Sequence, residues 1–503
     1  MFKNQPKGLI PAALANMGER FGFYTMMAIL VLFLQAKYGL NESISGIIYS
    51  IFYFLIYILA FVGGLIADKT RNYKKVIQIG LYVMALGYVL IAVPFPAVSE
   101  YKYLYLALTL LGLFTIAFGN GLFKGNLQAL VGQMYDNEQY SNMRDSGFSI
   151  FYMFINIGAF LAPFAATGIR NLWLNINNFK YNAELPGLCH AYLNGTISQE
   201  GLNNLQNLSQ QVNLSENLMS LNDFVVSYLN AFSTGYNYAF FISFLAMIIS
   251  LSIYILNKKL FPDVRIKEKG QEQQAIPEMS KEEVKLRIKA LLAVYSIVIF
   301  FWFSFHQNGL TLTYFARDYT KLQLGSLNLS VELFQSINPL LIVILVPVII
   351  SFFSFLRKKN LEPSTPKKIA IGMFIAGCAY LLMTFGSISL PPFSEIKNVG
   401  LPLEKKVTPL LLVATYFILT VAEIFISPLG ISFVSKVAPP KYQGLMQGGW
   451  LGATALGNQL LFIGAILYAN VPLWITWLVF VTVCFISMFI MLSMLKWLEK
   501  VSQ

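Results

Sequence analysis

Apolar runs of about 20 residues or more recur along the whole of this chain, and that recurrence limits its fold more than any other feature. Such a run crosses the hydrocarbon core of a bilayer, where every backbone group must find its partner inside a helix or a closed barrel. Runs that are continuously apolar, rather than alternating, select the helix. Length and apolarity predict twelve spans, at 10–36, 43–67, 75–96, 103–132, 144–168, 234–256, 287–316, 330–356, 368–388, 409–434, 443–468 and 473–495. Several exceed the minimum and are expected to tilt or to project beyond the membrane. Charged residues make up 12% of the 503, about half the share of a soluble domain. Met1–Lys7 is short and polar and the next segment is too long for a signal's apolar region, so no cleavable leader is expected.

The net charge of +12 is not spread evenly. Lys69, Arg71, Lys74 and Lys75 follow the second span. Lys258, Lys259, Arg265, Lys267, Lys269, Lys281, Lys285, Arg287 and Lys289 crowd a central loop, and Arg357, Lys358, Lys359, Lys367 and Lys368 another. These are alternate loops, so the excess marks a cytoplasmic face and argues against a nucleic-acid partner. An even number of spans after a basic amino terminus puts both termini in the cytoplasm, and a bacterial inner membrane is expected. Cys189, Cys378 and Cys484 are too scattered for a disulfide framework, and His190 and His306 lack metal-ligand spacing. No nucleophile–base set, phosphate loop or metal cluster is visible, so neither an enzyme nor a cofactor is expected.

The charged stretch 257–287 divides the chain into a six-helix bundle at 1–256, a cytoplasmic linker, and a second six-helix bundle at 288–503. Its segment 278–289 reads as a surface helix running into the seventh span. Two six-helix halves about a central loop resemble the major facilitator architecture, an all-α membrane fold whose halves rock around a midplane site. A second insertion, 169–233, is rich in Asn and Gln and is expected outside the cytoplasm. Leu202, Leu205, Leu208, Val212, Leu214, Leu218, Leu221 and Val225 recur in it at near-helical spacing, predicting one or two amphipathic helices over the outer mouth.

Polar residues inside the spans carry the functional signal, because a charge near the bilayer centre is expensive without a partner or a watery cavity. Glu19 and Arg20 sit together in the first span, about 100° apart on a helix, as neighbouring walls of one cavity. Lys124 lies in the fourth span and Glu423 in the tenth. After the second span, Gly63-Gly-Leu-Ile-Ala-Asp-Lys-Thr-Arg-Asn-Tyr-Lys-Lys75 resembles the major facilitator loop signature. Its glycine pair would allow a tight helix approach, and Asp68 and Arg71 would form a reversible clasp. Asn72 stands where that signature has glycine, and Asn tolerates a left-handed turn.

Several motifs in order resemble the proton-dependent oligopeptide transporter family, from residue 10 to about 470. They are Glu19-Arg-Phe-Gly-Phe-Tyr24, Gly119-Asn-Gly-Leu-Phe-Lys-Gly-Asn126, Phe151-Tyr-Met-Phe-Ile-Asn-Ile-Gly-Ala159, Gln335-Ser-Ile-Asn-Pro339, Glu423-Ile-Phe-Ile-Ser-Pro428 and Gly444-Leu-Met-Gln-Gly-Gly-Trp450. The resemblance implies secondary active import of di- and tripeptides by a carrier working as a monomer. It implies Arg20 and Lys124 for the peptide carboxylate and Glu423 for the amino terminus. It gives Asn156, Asn338 and Ser427 hydrogen bonds, and makes Tyr24, Tyr57, Trp302 and Trp450 walls. It also implies a proton partner. Here the chain departs from the family, with Asn16 in place of the first motif glutamate and His306 in place of a seventh-span acid. The coupling groups then expected are Glu19, His306, Lys124 and Glu423. Two other readings are a carrier for a non-peptide anion or drug-like solute on the same fold, and a substrate-sensing receptor.

Overall fold

The computed structural model describes residues 5–70, 72–136, 139–215, 219–262, 279–324, 327–439 and 442–502. Arg71 and most of the linker expected at 257–287 lie outside the described residues. The first half contains α1 (Leu9–Tyr38), α2 (Glu42–Thr70), α3 (Tyr73–Ala92), α4 (Lys102–Gln133), α5 (Arg144–Ile176), the short helices α6 (Leu185–Leu193) and α7 (Gln199–Val212), and α8 (Leu221–Leu256). The second half contains α9 (Lys281–Phe305), α10 (Thr311–Tyr319), α11 (Ile337–Lys358), α12 (Thr365–Ser387), α13 (Phe393–Ile396), α14 (Leu410–Val437), α15 (Gln443–Gln459), α16 (Leu461–Asn470), α17 (Leu473–Ser493) and α18 (Leu495–Ser502). A two-residue hairpin, Gln323–Leu324 with Leu327–Asn328, is the only sheet among the described residues.

Twelve helical segments among the described residues are long and apolar enough to cross a bilayer. The chain is a multi-pass membrane protein with the major facilitator fold. Within the first half α1 packs on α5 and α8, and α3 on α4; within the second, α12 packs on α14 and α17. The halves meet where α2 lies against α15 and α16, and α5 against α11. Gly63 shows why a glycine is needed here, since a Cβ there would overlap the Gly121 carbonyl of α4. Gly64 has open space instead. Asn72 is not left-handed: at φ −129° it caps α3, its Oδ1 accepting from Lys75 N at 3.0 Å.

The largest extensions beyond the predicted spans are those of α5 and α8. α5 continues past 168 to Ile176, because Arg170 is fully buried with an ion partner and does not end the helix. α8 begins at Leu221 rather than 234: Ser220 caps it, accepting from Asp223 N at 3.2 Å and donating to Asp223 Oδ2 at 2.6 Å. The insertion read as 169–233 therefore shortens to the connection 177–220. Of its leucine series, Leu221 and Val225 belong to α8, and Leu218 lies outside the described residues. Of the one or two amphipathic helices expected from that series, α7 is one, carrying Leu202, Leu205, Leu208 and Val212, with Leu205 and Val212 buried, whereas α6 precedes the series.

The connection folds back on the first half. Lys180 N donates to Val212 O and Leu214 N to Asn178 O, each at 2.8 Å, closing it at its base. Tyr228 of α8 accepts from Asn182 N at 3.0 Å. His190 Nε2 sits 2.8 Å from the Ala36 carbonyl at the end of α1, over Gly39, whose φ of +58° terminates that helix.

Candidate functional site

A cavity of about 320 Å³ lies between the two halves. α1 contributes Arg20 and Tyr24, α2 Tyr57, α4 Lys124, α9 Trp302, and α11 Asn338. α14 contributes Glu423 and Ser427, and α15 Trp450; His306 begins the 3-10 turn after α9. Ten of the residues singled out from sequence thus share one chamber. Its cations come from the first half and its carboxylate from the second.

The charged groups are held differently. Arg20 grips Glu19 through two parallel bonds, Nε to Oε2 at 2.5 Å and Nη2 to Oε1 at 2.6 Å, and both residues are buried. Asn120 of α4 also donates to Glu19 Oε1, at 2.7 Å. The bidentate fork and the Asn120 amide turn Glu19 away from the cavity, so the two charges are a pair and not two walls. The Arg20 guanidinium also lies 4.6 Å from the Phe23 ring centroid.

Lys124 has no carboxylate within ion-pair distance among the described residues; its Nζ rests 4.4 Å from the Tyr57 ring centroid. Such a contact offsets part of the desolvation of an ammonium but does not neutralise it. Across the chamber, Glu423 Oε2 accepts from Asn338 Nδ2 at 2.8 Å, and the same nitrogen lies 3.0 Å from Thr420 Oγ1. Asn338 thereby fixes the carboxylate orientation while leaving it without a cation partner among the described residues.

His306 stacks on Trp302 with centroids 4.8 Å apart and lies 4.8 Å from the Tyr53 ring. Its Nδ1 is 2.5 Å from Asn458 Oδ1. The turn His306–Gly309 and the helix break after Gln459 fall beside each other, which lets these two side chains meet.

Asn156 does not line the chamber; its Nδ2 donates to the Tyr152 carbonyl one turn back, at 2.9 Å. Asp68 is an exposed residue accepting a hydrogen bond from Tyr73. Residues not anticipated include Tyr49, Tyr53, Tyr152, Tyr416 and Gln128, which line the cavity, and Asn458, which holds His306. Tyr49 and Tyr53 were legible: with Tyr57 they recur at steps of four on α2, a single helical stripe.

All ion pairs between the halves, among the described residues, lie at the end of the bundle where α1 and α5 finish. Arg170 pairs with Glu332, Arg317 with Glu42 at 3.0 Å, and Lys406 with Glu184. Ser330 and Tyr236 reinforce the first pair, and Gln35 accepts from Arg317 at 2.5 Å in the second. Two larger cavities, of about 490 and 770 Å³, open at this same end and are bordered by α6 and α7.

A family model described as POT family (PTR2) matches residues 74–276 and 269–477. The chain belongs to the POT family. It is 28% identical over 485 residues to the peptide transporter YePEPT of Yersinia enterocolitica, covering 91% of this chain and 87% of the relative. It is 25% identical over 460 residues to the dipeptide and tripeptide permease A of Escherichia coli, covering 91% and 83%. Among solved structures, the peptide transporter POT in complex with sulfate superposes with a TM-score of 0.73 at 21% identity, covering 100% of this chain and 96% of that one. A POT family transporter in complex with 5-aminolevulinic acid superposes with a TM-score of 0.71 at 19% identity, covering 100% and 98%. This POT-family chain is therefore a transporter with the family's fold along its whole described length.

Proposed function

We propose that this carrier imports di- and tripeptides, binding them as zwitterions in the cavity between the halves. The observation that carries the reading is the division of charge: Arg20 and Lys124 face the cavity from one half, and Glu423 faces it from the other. A peptide carboxylate supplies the anion that Lys124 lacks, and the peptide amino group supplies the cation that Glu423 lacks. Tyr24, Tyr57, Trp302 and Trp450 wall the space between, and Asn338 and Ser427 offer hydrogen bonds. Termini are common to all peptides and side chains are not, so such a site accepts many sequences. A ligand held by both halves also links them, and rocking of the bundles then exposes it to each side in turn.

Protons accompany the peptide. Glu423 and Lys124 are the cavity groups whose charge answers directly to substrate, while Glu19 is committed to Arg20 and Asn120, and His306 to Asn458. The names of the relatives support the peptide class. The basic loops support cytoplasmic termini with α6 and α7 outside, and the same proposal places the carrier in an inner membrane, working as a monomer. The deciding experiment is proteoliposome uptake of a labelled dipeptide with and without an inward proton gradient. Accumulation only with the gradient is expected. Equilibration without any gradient effect would make the protein a uniporter, and failure to bind or move dipeptides would reject the substrate class.

A further inference from the structure

The described stretch 177–215 of the connection belongs structurally to the first half, yet it reaches across and rests on the second. Its anchors are rigid: the closed base at Lys180 and Leu214, the Asn182–Tyr228 bond, and His190 against the end of α1. Its far side meets the loop between α12 and α14. Lys406 pairs with Glu184, and Lys406 is 9% exposed. Asn204 Nδ2 donates to the Val399 carbonyl at 2.7 Å, and Asn398 Nδ2 to the Thr196 carbonyl at 3.4 Å. Gly201 packs so closely on Asn398 that a Cβ there would overlap its carbonyl oxygen.

The receiving loop is itself tied to the second half. Val407 N donates to Tyr319 O and Lys321 N to Val407 O, both at 2.8 Å, so the loop moves with α10. Each partner is thus fixed to its own bundle, and the bonds named between them are polar. Polar contacts of this kind exchange for water with little loss and can part and re-form, unlike a large apolar interface.

We infer that α6, α7 and their flanking segments form a latch, which holds the two bundles together at this end and must part whenever the end opens. This rests on the rocking-bundle reading above, but its test requires no substrate. The latch lies outside the cavity and outside the Arg170–Glu332 and Arg317–Glu42 pairs, and so sets how readily the end opens without touching the ligand.

Spin labels at Asn194→Cys on the strap and Glu404→Cys on the loop, both exposed positions, would report the separation in reconstituted carrier with Cys378→Ser. Wild type should show a dominant short distance. Gly201→Ala keeps the N–H that bonds Ser198 Oγ at 3.0 Å and is the better helix former, so it leaves α7 intact while wedging the contact. Lys406→Ala removes one partner of a largely buried pair. Each should raise the ratio of long to short distances by about tenfold or more, and the exchange Glu184→Lys with Lys406→Glu should restore it toward wild type.

A thiol cross-link between Glu184→Cys and Lys406→Cys should abolish uptake until it is reduced. Unchanged distances in both single variants, or normal transport by the cross-linked carrier, would overturn the latch. If the distances shift but no dipeptide moves, the peptide reading fails and the latch stands. If dipeptides move and the distances do not shift, the latch alone fails.

Discussion

Glu423→Gln is the sharpest test of the binding mode. The change keeps the side chain's shape, and Asn338 can still donate to the remaining oxygen, so the 2.8 Å contact survives and the fold should hold. What is lost is the negative charge facing the cavity. A hydrogen bond to a charged group contributes about 1.5–3 kcal/mol, which is about a 10- to 150-fold loss of affinity for a ligand bearing a free ammonium. The same loss should not apply to a ligand whose amino group is acetylated, since that ligand has no cation to lose. Titrating wild type and variant with a dipeptide and its N-acetyl analogue gives a double-mutant cycle. The expected coupling is most of the single-variant effect. If Glu423→Gln weakens both ligands equally, or neither, the amino terminus does not bind at Glu423 and the orientation of the peptide must be reversed or abandoned.

Other outcomes follow from the same geometry. Glu19→Gln leaves Arg20 buried without its anion and should destabilise the protein by about 3–5 kcal/mol, read as a lower unfolding temperature in detergent. An unchanged melting profile would show that the pair contributes nothing to stability. Tyr57→Leu removes the ring beneath Lys124 and should reduce dipeptide affinity by a factor of a few, whereas Tyr57→Phe should not; equal effects would point to the hydroxyl instead. His190 should make docking of α6 on α1 sensitive to pH. Burial holds its pKa below 6.5, with Lys102 acting in the same direction and the Ala36 carbonyl opposing. The undocked form then binds the proton more readily, so docking is complete above about 6.5 and weakens as the pH falls below it. Hydrogen exchange across 185–193 should rise on acidification relative to a His190→Gln variant measured at each pH; parallel behaviour would exclude the mechanism.

Much of this was legible because bilayer insertion imposes a simple code. Hydropathy and length located every span, and the costly intramembrane residues Arg20, Lys124 and Glu423 identified the cavity they share. What failed did so for local reasons. Glu19 looked like a wall because angular position on a helix ignores the reach of a long side chain, and its neighbour Arg20 captured it. The predicted span 144–168 stopped short of Arg170, whose partner Glu332 is distant in sequence. The true start of α8 was written in Ser220 and Asp223, a capping signal that hydropathy overlooks. Asn458 was invisible, since its role depends on two helix breaks falling side by side.

Ions and amides bridge the bundles at the α6–α7 end, and that sets what the carrier's equilibrium can sense. Re-forming these polar contacts carries only a small change in heat capacity, so temperature should act on them only weakly. Ionic strength acts otherwise. Added salt screens the most accessible pair first, here Lys406 with Glu184, before it reaches the fully enclosed Arg170 and Glu332. The hold of these contacts should therefore follow the salinity of the medium bathing that end more closely than the warmth of that medium.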